Sequence, residues 1–353
     1  MATSILPFDI PPSFRLLAHD FSRSLAYLLL PLTLLYLSLY FSLKGYKRVY
    51  GVLTLVSLLG FATATSVAPI SCPPAASLMN FGVAVGILKI LDIFARRHHP
   101  RTYAGSFHLT PSLLALLLTT ELRYESFTPN PIRVSTSPFS EPTDLALHIA
   151  AFAALQILPQ EHAAILALQV LLTIYILWTT LQLILRYYDS PPLFGPLYQA
   201  DSLGGFWAKT WHNAFASPCT SLAYHPVRRA LSRIGLPIDA ARAGGLVAAF
   251  ALMGAFHVYA LSPLIAREGL RRVWWFFVGN GVAVVFETGL WGRESTMGRG
   301  RRRGRVVLAW AFEIGFAAWV VRGCGVPEGL GGIRWGEVCE VRQGPVGIGW
   351  LGM

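Results

Sequence analysis

"SLAYLLLPLTLLYLSLYFSL", residues 24–43, contains no charged side chain. A bilayer's hydrocarbon core needs about 20 apolar residues in helical form, so this stretch predicts a membrane span, with Pro31 placed to kink it. Further apolar runs follow at Val49–Ile70, Ala75–Phe94, Asp144–Leu158, His162–Leu185, Ala243–Ile265, Val273–Trp291 and Val306–Val321. The fold class expected is therefore all-α, a multi-pass integral membrane protein with about eight transmembrane helices. Composition agrees: 54% of the 353 residues are hydrophobic and 13% charged, with a mean hydropathy of +0.51. Those values exclude an ordinary soluble domain of this length.

The net charge of +11 raises nucleic acid as a partner. The basic residues, however, lie in short clusters between apolar runs, without the interleaved basic and aromatic surface that nucleic-acid binding needs. They read as cytosolic loops, and the bilayer is the partner implied. Lys44–Arg48, Arg96–Arg101, Arg186–Arg242 and Arg293–Arg305 fall on one side of the membrane, and the "SCPP" and "PQE" turns on the other. Arg267, Arg271 and Arg272 fall on the wrong side. Either they snorkel into the headgroup layer or the span count shifts by one there. No inverted repeat of the transporter kind is visible.

Within the third span, Lys89 and Asp92 lie near one end, where they can reach the interface or pair across a turn. The short apolar piece Pro111–Leu122 predicts an interfacial or re-entrant helix, and Asp144 a helix cap. The N-terminus lacks the charged approach to a short apolar core that marks a cleaved signal, so the first span is expected to remain as an anchor. Cys72, Cys219, Cys324 and Cys339 have no CxxC spacing and no histidine cluster nearby, so neither a metal site nor a disulfide framework is expected. Three regions result: residues 1–142 with the first spans and an interfacial segment, a core at 143–322, and a Gly-rich tail at 323–353.

His257 stands alone among apolar and small residues in "AGGLVAAFALMGAFHVYALSPLI". An intramembrane imidazole is either hydrogen-bonded across a helix interface or functional. As a neutral ring it can take a proton from a hydroxyl that attacks an activated acyl group. No nucleophile elbow of the G-x-S-x-G type is present, which favours direct transfer over a covalent acyl-enzyme. The polar segment "SLGGFWAKTWHNAF", residues 202–215, adds His212, Asn213 and a pair of tryptophans, with the rings available as interfacial anchors.

That segment resembles the S-L-x-x-F-W-x-x-x-W-H-x-x-F stretch of the fungal and plant wax synthase-like acyltransferases, a branch of the membrane-bound O-acyltransferase superfamily. "PPLFGPLYQADS" before it, "HPVRRAL" after it, "FALMGAFHVYAL" and "WWFFVGNGVAVVFETG" follow in the family's order. The likeness covers roughly Pro191–Trp319. It implies an MBOAT-like fold in the endoplasmic reticulum and transfer of an acyl group from coenzyme A to a hydroxyl. The acyl group implied is acetyl and the acceptor a lipophilic alcohol such as a terpenoid secondary metabolite, with a long-chain wax ester or sterol ester synthase as the alternative. Acyl-CoA is then a co-substrate, and no permanently bound cofactor or metal is implied.

Carried over by position, the resemblance makes His257 the catalytic base. His212 and Asn213 become polar partners of the acyl carbonyl, and Phe206, Trp207 and Trp211 tunnel walls. Glu287 could bind the acceptor hydroxyl or orient a histidine. Lys209, Arg228 and Arg229 could meet coenzyme A phosphates, although membrane-surface positioning also accounts for the two arginines. The family's common "FWGRRWH" is "FWAKTWH" here, and the polar residue often found after the catalytic histidine is Val258. "RRHHP" at residues 96–100 and "GRGRRRGR" read equally as basic loops beside anionic lipid. A different class, a transporter, would use His257, Glu287 and Glu313 as a proton or substrate path.

Overall fold

The structure is a computed structural model that describes residues 11–129, 134, 137–185, 190–212, 214–291, 299–327, 329–332 and 335–340. The chain forms an all-α bundle. In order come α1 Pro12–Leu43, α2 Lys47–Val67, α3 Pro73–Ala95, the short α4 Pro111–Thr120, α5 Glu141–Leu155, α6 Ala163–Leu185, α7 His225–Arg233, α8 Ile238–Leu261, α9 Arg267–Trp291 and α10 Arg299–Cys324. A two-stranded antiparallel ladder, Thr102–Tyr103 with Phe127–Thr128, closes the loop around α4.

Among the described residues, seven helices are long and apolar enough to cross a membrane: α1, α2, α3, α6, α8, α9 and α10, the last over Arg303–Cys324. Their outward faces carry exposed leucine, valine and phenylalanine, among them Leu29, Leu30, Val52, Phe286 and Leu290. Such side chains face hydrocarbon at no cost, which is why the bundle needs no polar coat there.

The expected span at Asp144–Leu158 is instead the 15-residue α5. At 1.5 Å per residue it reaches about 22 Å, less than a full hydrocarbon core, yet the chain still changes sides there: Asp92 at the end of α3 meets Ser217 and Ser221 of the connection that follows α6, and Ser77 at the start of α3 meets Ala260 at the end of α8. Asp144 does not cap it. Ser140 does, its hydroxyl accepting from Thr143 N–H, while Asp144 is buried and accepts from the Tyr198 hydroxyl at 3.0 Å. Pro31 lies inside α1, where its carbonyl accepts from Ser57 of α2. The Pro111–Leu122 piece forms α4, capped by Thr110 and packed along α1.

Lys89 and Asp92 are both buried, and neither uses the other as its hydrogen-bond partner. Lys89 donates to the Glu121 carbonyl and lies over the Tyr124 ring. Asp92 gathers Arg96, Ser217 and Ser221. The spacing that put them on one face of a helix was correct, but a buried charge takes whichever partner completes its hydrogen bonds.

Two of the three arginines that objected to the topology, Arg271 and Arg272, share one acidic partner. Glu268 pairs with Arg271 at 2.8 Å and with Arg272 at 3.0 Å, and Arg272 also donates to the Trp319 carbonyl.

The cysteine expectation fails outright. Cys72 and Cys339 form a disulfide across 267 residues of sequence, joining the start of α3 to the C-terminal tail. Spacing could not announce a bridge whose halves meet only after the bundle has closed. Cys72 belongs to the "SCPP" turn itself, so the bridge holds Cys339 against that turn.

Candidate active site

The polar connection between α6 and α8 turns into the bundle and comes back out on the side it entered. Its descent starts with one α-helical turn at Leu203–Gly205 and a π-helical turn at Phe206–Thr210. The chain reverses around Trp211–Phe215, then leaves through Ala216–Pro218 and a second π-helical turn at Cys219–Tyr224. Backbone of this irregular kind survives at membrane depth only where protein satisfies its polar groups.

Side chains meet the first backbone donors of the descent. Ser202 Oγ accepts from Gly205 N at 2.9 Å, and the two carboxylate oxygens of Glu287 on α9 accept from Leu203 N at 2.9 Å and Gly204 N at 2.8 Å. Three of the four orphan donors of a helix start are thus met. Gly205 is required by close approach: a Cβ there would lie 2.6 Å from Ser202 Oγ. From α10, Trp310 donates to the Ala200 carbonyl and Arg305 pairs with Asp201 at 3.6 Å. Upstream, Arg123 donates to the carbonyls of Pro191 and Pro192, and Gln182 clamps Leu193 N and the Pro191 carbonyl.

Aromatic rings fill the turn. Phe206 and Trp211 stack at 5.5 Å. Trp207 meets Phe250 of α8 and Phe276 and Phe277 of α9 edge-on or tilted, and its indole N–H donates to Asn280 at 3.1 Å. These tryptophans are not headgroup anchors, as the sequence alone had proposed, because the turn carries them into the protein interior. With Phe206 they wall a cavity of about 140 Å3 bounded by α6, α9 and α10.

His257 occupies α8 near the bottom of the turn. Its Nδ1 lies 2.8 Å from the Met253 carbonyl. A carbonyl can only accept, so Nδ1 carries the hydrogen and Nε2 keeps the lone pair. The ring stacks on Phe277 at 4.2 Å. His212 packs edge-on against Phe194 at 5.5 Å and against Phe215 at 6.2 Å, and its Nδ1 is buried with no hydrogen-bond partner. Phe215 in turn touches Phe256 at 4.5 Å, the neighbour of His257. One phenylalanine pair therefore links the two histidines. Burial pushes the His212 pKa down, and the neighbouring His257 and the Arg123 guanidinium act in the same direction. The ring is neutral at physiological pH.

The two histidines share this aromatic layer, while the lining of the cavity behind Trp207 and Trp211 includes neither. Asn213 lies outside the described residues, as do 186–189, 292–298 and 341–353 within the basic loops and tail. Lys209 is exposed on the first π-helical turn. Arg228 and Arg229 ride on α7, whose Val227 and Leu231 turn toward Gly244 of α8. In the "RRHHP" loop, Arg96 is held by Asp92, and Arg101 by Ser217 and the Pro129 carbonyl. Sequence reading missed Asn280, Arg123, Arg305 and Asp201. Of these only Asn280 carried a signal, a lone amide in the apolar run "WWFFVGNGVAV".

Fold and site together define a multi-pass membrane protein with a histidine-bearing re-entrant turn. Residues 190–279 match the Membrane bound O-acyl transferase family. This segment takes in the whole turn, α7, α8 and half of α9. The chain is similar to "Probable long-chain-alcohol O-fatty-acyltransferase 7" of Arabidopsis thaliana, 28% identical over 217 residues, 56% of this chain and 63% of that one. It is 40% identical over 72 residues to "Acetyltransferase nanB" of Aspergillus nanangensis, covering 20% of this chain and 17% of that one. It is also 31% identical over 129 residues to "Long-chain-alcohol O-fatty-acyltransferase" of Simmondsia chinensis, 36% and 35% of the two chains. The chain spans less than two thirds of the length of each of these relatives. No solved structure matches.

Proposed function

We propose that this protein transfers an acyl group from acyl-CoA to a hydroxyl of a lipophilic acceptor, with His257 as general base. The observation that carries the reading is the Nδ1–H bond of His257 to the Met253 carbonyl, which leaves Nε2 as the proton acceptor. The hydroxyl oxygen attacks the thioester carbon as Nε2 takes its proton. The tetrahedral adduct then collapses with cleavage of the C–S bond, and the imidazolium returns the proton to the departing coenzyme A sulfur. His212, neutral and with an unpartnered Nδ1, and Asn213 serve the acyl oxygen as donors in a water-poor setting where such dipoles act strongly. Glu287, with both oxygens on backbone N–H groups, positions the turn. Lys209, Arg228 and Arg229 meet the phosphates of coenzyme A on the cytosolic side.

We take the acyl group to be acetyl and the acceptor a terpenoid-like alcohol, supported by the likeness to the Aspergillus acetyltransferase. The longer likeness to the plant enzymes named for fatty-acyl transfer favours a second reading, a long-chain ester synthase. The compartment we favour is the endoplasmic reticulum, with the basic loops cytosolic and the Cys72–Cys339 bridge on the oxidising side.

The test is full-length protein in lipid nanodiscs, given radiolabelled acetyl-CoA or palmitoyl-CoA and a panel of terpenoid and straight-chain alcohols. Labelled ester should form, with acetyl-CoA the better donor, and should be lost in His257→Ala. Equal transfer by wild type and His257→Ala rejects the mechanism, and no transfer with any pair rejects the function in favour of a transport role.

A further inference from the structure

The cavity between α6, α9 and α10 is apolar on nearly every side. Leu171, Ile174, Phe276 and Trp310 contribute, and the lining holds one ionisable group, Glu313. Glu313 sits midway along the membrane-spanning part of α10, ten residues from Arg303 and eleven from Cys324, about 15 Å from either end. It is 6% exposed. Its carboxyl neighbours the Asn280 side chain, yet Oε2 has no hydrogen-bond partner. A buried polar atom left without a partner is costly. Placed at the centre of a bilayer, where solvent cannot supply a partner, it marks a position that a ligand's polar group completes.

We infer that this cavity binds a lipophilic alcohol, with the alkyl part against the tryptophans and the hydroxyl hydrogen-bonded to Glu313 Oε2. The volume of about 140 Å3 is close to that of an engineered apolar cavity that takes up benzene. It therefore seats a ring or a short alkyl segment rather than a whole long chain. Asn280 connects this site to the reaction layer, since it neighbours Glu313 and holds Trp207, and Trp207 touches the Phe277 ring on which His257 is stacked. That the bound alcohol is the acceptor awaiting transfer rests on the proposed acyl-transfer function. The binding site itself does not.

The experiment uses full-length protein in nanodiscs and the fluorescence of the cavity tryptophans, quenched by 6-bromohexan-1-ol or by 1-bromohexane. The alcohol should quench saturably and at lower concentration than the alkane. Glu313→Leu should raise the Kd of the alcohol about 3- to 10-fold, the worth of one hydrogen bond, and leave the alkane's unchanged. Ala317→Phe, which fills the cavity, should remove the saturable component for both. Equal affinity for alcohol and alkane in wild type overturns the inference, as does quenching that only rises linearly with probe. The wild-type comparison alone decides the matter if Glu313→Leu fails to fold. His257→Ala should bind the alcohol normally. Binding without transfer would thus sink the proposed function and leave this site standing, whereas transfer without saturable binding would do the reverse.

Discussion

Glu287→Ala separates a residue that holds the turn from one that binds substrate. The carboxylate accepts from Leu203 N at 2.9 Å and Gly204 N at 2.8 Å, and no other acceptor is bonded to those donors. Removing it strands both. Each bond to a charged acceptor contributes about 1.5–3 kcal/mol. Water reaching the Glu287 end of α9 recovers part of it, so a combined loss of about 2–4 kcal/mol is expected. At 1.4 kcal/mol per factor of ten, the opening equilibrium of the turn should shift by about 30- to 1000-fold. Hydrogen–deuterium exchange reads this directly. Amides of residues 203–211 should exchange faster by that margin, while those in the middle of α8 stay protected. In the transfer assay kcat should fall with KM for the alcohol nearly constant, because the turn carries His212 and Asn213, the proposed partners of the acyl oxygen, and Glu287 bonds the turn's backbone. Unchanged exchange with a raised KM for the alcohol would refute the reasoning and return Glu287 to the role of a substrate ligand.

Four further outcomes are expected. His257→Ala should lower turnover on the order of 100-fold or more, the usual worth of a general base, with membrane expression unchanged by immunoblot. His212→Ala should impair transfer and His212→Asn should do so less; equal losses would count against a hydrogen-bonding role. The depressed pKa of His212 also sets a pH dependence of stability. The unfolded chain takes up a proton near pH 6.5 and the folded one only at lower pH, so this contribution is complete above pH 6.5 and declines as pH falls below it. His212→Gln should flatten that part of a melting-temperature profile between pH 7 and 5, and an unaltered slope would exclude it as the source. Finally, maleimide–polyethylene glycol should label Cys72 and Cys339 only after reduction, and labelling of both without reductant would show that the bridge does not form.

Long runs poor in charge announced seven of the spans, because hydrocarbon imposes a minimum length on every crossing helix, although α1 begins twelve residues before its expected run. The expected Val49–Ile70, for instance, is Lys47–Val67, and His162–Leu185 is Ala163–Leu185. Asp144–Leu158, the shortest expected run, is the 15-residue α5, Glu141–Leu155, which falls short of the length of the other spans. His257 and His212 were legible as lone imidazoles in unsuitable surroundings, and their linkage through Phe215 and Phe256 was not. Partnerships between distant residues leave no local trace. Asp92 with Ser217 and Ser221, Arg305 with Asp201, and Cys72 with Cys339 each join segments that only the closed bundle brings together.

The same asymmetry explains how the turn is held. Residues 190–279, the segment that matches the Membrane bound O-acyl transferase family, contain both histidines and the rings that touch them. The groups that keep this backbone inside the bundle lie mostly outside that segment. Glu287 takes the N–H groups of its first turn, Trp310 and Arg305 hold Ala200 and Asp201, Arg123 and Gln182 hold Pro191 to Leu193, and Asp92 takes Ser217 and Ser221 on the way out. An aromatic turn alone could not stay buried, since lipid offers no partner for its backbone. It follows that α3, α6, α9 and α10 belong to the candidate site in the physical sense, through the anchors they supply to the turn. Substitution at any of them should act on turnover through the seating of His212, and a chain truncated to residues 190–279 should hold no such turn.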